Sequence, residues 1–209
     1  MIASWSKTID CAESSKADSK ITDEARRTRT PKHYVMSRIR EATLDDAVAI
    51  CSIYNYYIEH TVVTFEEELL EVEEMRSRIV QIMEKFPYIV SVNDADEVIG
   101  YAYANTWRAR KAYRFSAEVT VYLKQGQDGQ GVGSMLYTHL IQTLKQSGYH
   151  LLIGGIALPN DASVKLHERM GFTKAGHFKD AGFKFERWVD VGFWQLVLSD
   201  THSSSTNSV

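Results

Sequence analysis

The chain has 209 residues, 44% of them hydrophobic, with 24 Lys and Arg against 27 Asp and Glu and a formal net charge of −3. That mild acidity argues against nucleic acid or an anionic membrane as the partner, and no apolar run approaches the roughly 20 residues of a membrane-spanning helix. Two cysteines, Cys11 and Cys51, support no disulfide framework, and the composition describes one α/β domain with tails.

Residues 1–35 are polar and aperiodic and read as a disordered extension. Asp10, Glu13, Asp18, Asp23 and Glu24 count against a transit peptide, and no apolar signal core is present. The domain pattern spans 36–198 and begins at Met36-Ser-Arg-Ile-Arg, which makes Met36 a candidate alternative start; 199–209 is a Ser/Thr-rich, flexible tail.

Within the domain, Ser37–Arg40 reads as a strand. Thr43 or Asp45 can cap a helix that carries Leu44, Ala47, Cys51, Tyr54 and Ile58 on one face. Cys51 on that face reads as a small core residue. His60–Glu67 is a short turn or strand, and Leu69–Phe86 is an amphipathic helix ended by Pro87. Tyr88–Val92 and Val98–Asn105 form a hairpin across Asn93-Asp-Ala-Asp. Arg114–Leu123 is the central strand. Helix Val132–Ser147, strand Leu151–Ala157, helix Asp161–Met170 and strands near Gly176–Phe185 and Trp188–Val197 follow. The order βααβββαβαββ predicts an α+β fold, a mixed, largely antiparallel sheet with helices on both faces.

The densest information lies at Val119–Ser134, where a β-branched strand runs into a loop with Gly126, Gly129, Gly131 and Gly133 and then into a helix. Free N–H groups at a helix start hold phosphate, and glycine lets a pyrophosphate approach the backbone closely. Gly126-x-x-x-x-Gly131 begins like a nucleotide P-loop, but Val132-Gly133 stands where Lys-Ser/Thr is required. The dinucleotide pattern fails as well, because Leu136 occupies its third glycine position. A second motif, Asn160-Asp-Ala-Ser-Val-Lys-Leu-His-Glu-Arg-Met-Gly-Phe172, follows an apolar strand.

Together these segments resemble the coenzyme A loop and the following helix of GNAT-type N-acetyltransferases. The runs E-V-T-V-Y-L from Glu118, G-V-G-S-M-L-Y-T-H-L from Gly131, L-P-N-D-A-S-V-K-L-H-E from Leu158 and V-D-V-G-F-W-Q-L from Val189 are similar to the phosphinothricin N-acetyltransferase family. The similarity runs from about Ile39 to Leu198. It implies a GNAT-like fold whose two central strands, Glu118–Leu123 and Leu151–Ala157, splay apart. Acetyl-CoA would enter there as co-substrate, with no metal, in a cytoplasmic homodimer. The backbone of Val121, Tyr122 and Leu123 would pair with the pantetheine arm as an added strand does. Gln125, Gly126, Gln127, Asp128, Gly129, Gln130, Gly131, Val132, Gly133 and Ser134 would cradle the pyrophosphate.

The reaction needs a neutral amine, so a base is required. Glu118, at the start of the splayed strand among apolar neighbours, can take the ammonium proton directly or through water; the alternative is a buried Glu paired to an arginine. The resemblance puts His167 where many GNAT enzymes have a tyrosine that protonates the departing thiolate; the alternative is a helix His that anchors Glu168 or packs on the core. His139 reads as structural. Asn160 can bond the pantetheine amides, cap its helix, or do both. The cationic, aromatic segment Trp107–Phe115 matches the family's acceptor-contacting segment and assigns Arg108, Arg110 and Tyr113 to substrate binding, with Thr64 and Phe65 as walls. Arg110 can grip a carboxylate or phosphinyl group with two parallel bonds.

Two departures stand out. The family's usual Arg and Gln in the glycine loop are Gly126 and Asp128 here, and a family histidine near the C-terminus is Val189. Lys124 is placed to compensate for the lost cation. The sequence therefore reads as an acetyl-CoA-dependent N-acetyltransferase for the α-amino group of a small amino-acid-like substrate. Its rivals are an acetyltransferase for other amines or protein N-termini, a non-catalytic acyl-CoA sensor, and an interaction module built on the aromatic C-terminal strand.

Overall fold

A computed structural model describes residues 37–198. The expected disorder of 1–35, Met36 as a start, Cys11 and the flexible tail 199–209 lie outside the described residues.

Seven strands and four α-helices follow the anticipated order. β1 (Arg38–Glu41) leads through a 3₁₀ turn at Leu44–Asp46 into α1 (Ala47–His60) and α2 (Val72–Met83). Next come β2 (Tyr88–Val92), β3 (Val98–Thr106), β4 (Ser116–Leu123), α3 (Val132–Gln146) and β5 (Leu151–Leu158). α4 (Asp161–Arg169), β6 (Thr173–Lys184) and β7 (Arg187–Val197) complete the domain. The strands form one sheet in the order β1-β2-β3-β4-β5-β7-β6. Every neighbouring pair is antiparallel except β4 and β5.

Alternation along the strands divides the core between two faces. Val90 and Tyr101 point to the face covered by α1 and α2, where Ile50, Ile58 and Ile79 are buried. Ile89, Ala102 and Ala104 point to the other, covered by α3 through Leu136, Leu140 and Leu144. Cys51 is buried on the first face and donates its thiol to the Leu70 carbonyl.

Thr43, one of the two expected caps, is the N-cap of the first turn, and Asp46 completes it by accepting the Thr43 N–H at 2.7 Å and a two-pronged contact from Arg40. Two boundaries differ from the sequence expectation. The second helix runs only from Val72 to Met83; its start is set where Glu71 is an extended N-cap and both backbone groups of Leu70 are tied to Asn55, the N–H donating to Oδ1 and the carbonyl accepting Nδ2. The central strand begins at Ser116, since Lys111–Tyr113 turns as a 3₁₀ segment; 60–67 contains no strand.

Candidate active site

The site is created by an interrupted ladder. β4 and β5 pair only over Ser116–Glu118 and Leu151–Ile153. Beyond that point β5 stays paired to β7, while the β5-facing edge of Val119–Leu123 has no strand partner. Backbone groups alternate between the two edges of a strand. The carbonyl of Leu123 takes the Tyr57 hydroxyl at 2.9 Å, and that of Val119 lies 3.5 Å from the Tyr137 hydroxyl, which identifies the odd-numbered residues as those facing the gap. Val121 therefore offers both its backbone groups there. Tyr122 does not: its backbone turns toward β3 and its ring is buried in a stack with Tyr101. Of the three residues expected to pair with a pantetheine arm, Val121 is open, Leu123 shares its carbonyl with Tyr57, and Tyr122 faces away.

The glycine loop continues from this edge. Gly126, Gly129 and Gly131 have φ of 81°, 70° and 91°, and at each a Cβ would meet open space. Gly131 is the N-cap of α3 and brings no side-chain cap, so the first-turn N–H groups remain available to an anion. Gln130 braces the loop by donating to the Gly126 carbonyl at 2.9 Å, and Gln125 and Asp128 are exposed. This open, donor-rich cradle fits a pyrophosphate. Gly133 differs in kind: a Cβ there would press on Leu166 at 3.2 Å, so this glycine serves helix packing. Lys124 sits 3.9 Å from Glu97 and is only loosely held.

Glu118 stands at the last paired position of β4, where the strands part. Its Oε1 lies over Gly155 beside the Phe193 ring, and no described Lys or Arg pairs with it. Burial pushes its carboxyl above the usual carboxylate range. The ion-pair alternative is thereby removed.

His167 is 3% exposed and uses both ring nitrogens. Nδ1 lies 2.8 Å from the Ser163 carbonyl, which can only accept, so the proton resides on Nδ1. Nε2 is then an acceptor for the Tyr137 hydroxyl at 3.1 Å. In this tautomer His167 has no proton to deliver toward the gap, and burial lowers its pKa further. His167 thus meets Tyr137 with an acceptor nitrogen, not with the N–H that a direct proton donor would present. Asn160 caps α4 through Oδ1, accepting the Ser163 N–H at 3.1 Å, and His139 is exposed.

The candidate acceptor residues come from distant segments. Trp107 meets Phe193 edge-on at 5.7 Å, which brings the Arg108–Tyr113 loop beside the Glu118 floor. Arg108, Arg110 and Tyr113 are exposed, and neither arginine has a carboxylate partner among the described residues. Phe65 lies against Gly182, where any Cβ would collide with its ring. Thr64 is held twice: its hydroxyl bonds Tyr54 at 2.8 Å, and its carbonyl accepts Lys184 Nζ at 2.9 Å. Lys184 is 1% exposed, and that burial lowers its pKa.

Sequence reasoning missed Tyr137, Lys184 and the Tyr54–Glu66–Arg78 cluster. Tyr137 carried a faint signal, a polar ring next to Leu136 on the buried face of α3. The others become neighbours only through the fold.

Residues 39–192 match the family model described as an acetyltransferase (GNAT) domain. The chain belongs to the GNAT acetyltransferase family. A phosphinothricin N-acetyltransferase from Streptomyces viridochromogenes is 41% identical over 157 residues, covering 75% of this chain and 85% of the relative. The L-methionine sulfoximine/L-methionine sulfone acetyltransferase of Pseudomonas paraeruginosa is 33% identical over 167 residues, 79% and 97% of the two chains. A GNAT phosphinothricin acetyltransferase from Sinorhizobium meliloti, solved in complex with acetyl-CoA, superposes with a TM-score of 0.77 at 33% identity, covering 82% of this chain and 93% of that one. No described helix is long and apolar enough to cross a membrane.

Proposed function

We propose that this GNAT enzyme transfers the acetyl group of acetyl-CoA to the α-amino group of a small amino-acid-like acceptor. One observation carries the reading: Glu118 is partly buried, lacks a counter-charge and sits where the two strands part. The names of the relatives, which refer to phosphinothricin and methionine sulfoximine, support the acceptor class.

Bound acetyl-CoA supplies an activated thioester. The Gly126–Ser134 loop and the start of α3 would hold its phosphates, and the free edge at Val121 would align its arm. Glu118 withdraws the ammonium proton, and its raised pKa brings it closer to the pKa of a useful base at neutral pH. Arg108 and Arg110 hold the acceptor's carboxylate, with Tyr113, Thr64 and Phe65 as walls. Transfer is direct, because the one described cysteine, Cys51, is buried and bonded to Leu70. An alkyl thiol ionises near pH 8.5, so the thiolate leaves without a dedicated donor.

The domain responsible is 36–198, and the proposed setting is the cytoplasm, where acetyl-CoA and free amino acids meet. The proposed assembly is a homodimer joined through the β6–β7 hairpin, on which Phe178, Phe183, Phe185 and Trp188 are 51–62% exposed. Trp194, farther along the same hairpin, is 3% exposed and belongs to the core. A monomer mass by light scattering across a wide concentration range would overturn the dimer. The function itself is tested by thiol release from acetyl-CoA against a panel of amino acids. Turnover with no α-amino acid would refute it.

A further inference from the structure

A cavity of about 300 Å³ opens between α2 and the outer face of β3, lined in part by Tyr54, Glu66, Arg78, Gln81, Tyr103 and Asn105. It begins next to the candidate base. Asn105 is directly opposite Glu118 in the β3–β4 ladder, and Tyr103 is opposite Thr120. Residues paired in this way project from the same face about 5 Å apart. An acceptor whose amine reaches Glu118 thus has this cavity within one side chain's reach.

The charges lining it are already satisfied. Arg78 is the only cation and Glu66 the only anion among the lining residues. Arg78 binds Glu66 through both terminal nitrogens, at 2.7 and 3.1 Å, and also Glu74 at 2.6 Å. One guanidinium is therefore shared between two carboxylates, and Glu66 further accepts the Tyr54 hydroxyl at 2.8 Å. An incoming anion would find no free cation here, and would meet the Glu66 carboxylate. What the cavity does offer is neutral. Gln81 makes no described side-chain bond, and Asn105 spends only its Oδ1, on the Thr106 N–H, keeping its amide donors. Met75, Ile82 and the tyrosine rings supply apolar walls for methylenes.

From this the geometry points to a side-chain subsite for an uncharged polar group, such as a sulfoximine, sulfone or carboxamide, in preference to an anionic phosphinate or carboxylate. The inference rests on the amino-acid acceptor reading and adds selectivity to it. The acceptor's own carboxylate is assigned to the arginine loop, where the cations are unpaired. Charge is thereby divided between two places: free cations at the rim for the invariant end of an amino acid, a neutralised chamber for its variable end.

The test compares kcat/KM for methionine sulfoximine and methionine sulfone with that for phosphinothricin, which is similar in length but carries an ionised phosphinate. The neutral acceptors are expected to lead by at least tenfold. Asn105→Ala and Gln81→Ala should each lower kcat/KM for methionine sulfoximine about tenfold, lower that for phosphinothricin less, and leave acetyl-CoA affinity by calorimetry unchanged. Glu66→Gln should narrow the gap by freeing Arg78. Phosphinothricin used as well as or better than the sulfoximine overturns the inference while leaving the acceptor reading intact. Equal losses for both acceptors in Asn105→Ala and Gln81→Ala overturn it too. Turnover of no amino acid overturns the acceptor reading and this inference with it.

Discussion

The hydroxyl of Tyr137 and the imidazole Nε2 of His167 are joined at 3.1 Å inside the domain, where both residues are almost wholly shielded from water. The pair occupies the fork between β4 and β5. Tyr137 stands beside the Val119 carbonyl, and His167 covers Gly154, the first β5 residue beyond the parallel ladder, so closely that no Cβ would fit.

This pair makes stability depend on pH. Burial lowers the His167 pKa below its unfolded value, so the unfolded chain binds the proton more readily. The contribution of neutral His167 is fully present above the unfolded pKa of about 6.5 and is lost as pH falls toward the folded value. Denaturant unfolding at pH 7.5 and at pH 5.5 should show a smaller pH-dependent drop in His167→Gln than in the parent. Parallel drops in the two proteins would mean that His167 does not titrate on unfolding.

For Glu118, replacement by Gln should reduce kcat by about 10²–10⁴ while acetyl-CoA binding stays intact. The acid limb of the rate profile, whose midpoint lies above the ordinary carboxylate range because Glu118 is buried, should disappear. Near-normal kcat with an unchanged limb would leave Glu118 without a catalytic role.

Arg110 is exposed and unpaired, so Arg110→Ala should leave the melting temperature unchanged and act on acceptor binding. The lost charge-assisted contact is worth about 1.5–3 kcal/mol, which corresponds to a rise in acceptor KM of roughly tenfold to a hundredfold. Lysine should restore only part of it, since it keeps the charge but not the planar fork. Steady-state kinetics with varied acceptor would show this, and a change confined to kcat would count against the assignment.

The two glycines at the start of α3 should separate. Gly131 has φ of 91° with open space around its missing Cβ, so Gly131→Val should cut acetyl-CoA affinity more than it lowers the melting temperature. Gly133→Val crowds Leu166 and Leu123 and should lower the melting temperature more. Calorimetry and thermal unfolding of both variants distinguish the two cases.

What could be read from the sequence follows from how local each interaction is. β4, its glycine loop and α3 are contiguous, and their turn chemistry and periodicity are written within some 30 residues. The motif around Asn160 is equally local, including the cap that it makes. The start of α2 was illegible because Asn55, 15 positions earlier, binds both backbone groups of Leu70, a contact that helical periodicity cannot register. The role of His167 was legible only as a position. Its tautomer depends on Ser163 one turn away, but its partner Tyr137 lies 30 residues off on another helix. The charge neutralisation of Arg78 by Glu66 was hidden in the same way, since Arg78 reads as one more solvated cation on a charged helix.

The bond from Lys184 to the Thr64 carbonyl joins positions 120 residues apart. It sets an order of completion on a chain made from its N-terminus. Thr64 leaves the ribosome well before β6 does, so the contact that holds its carbonyl can form only once the C-terminal hairpin has been made.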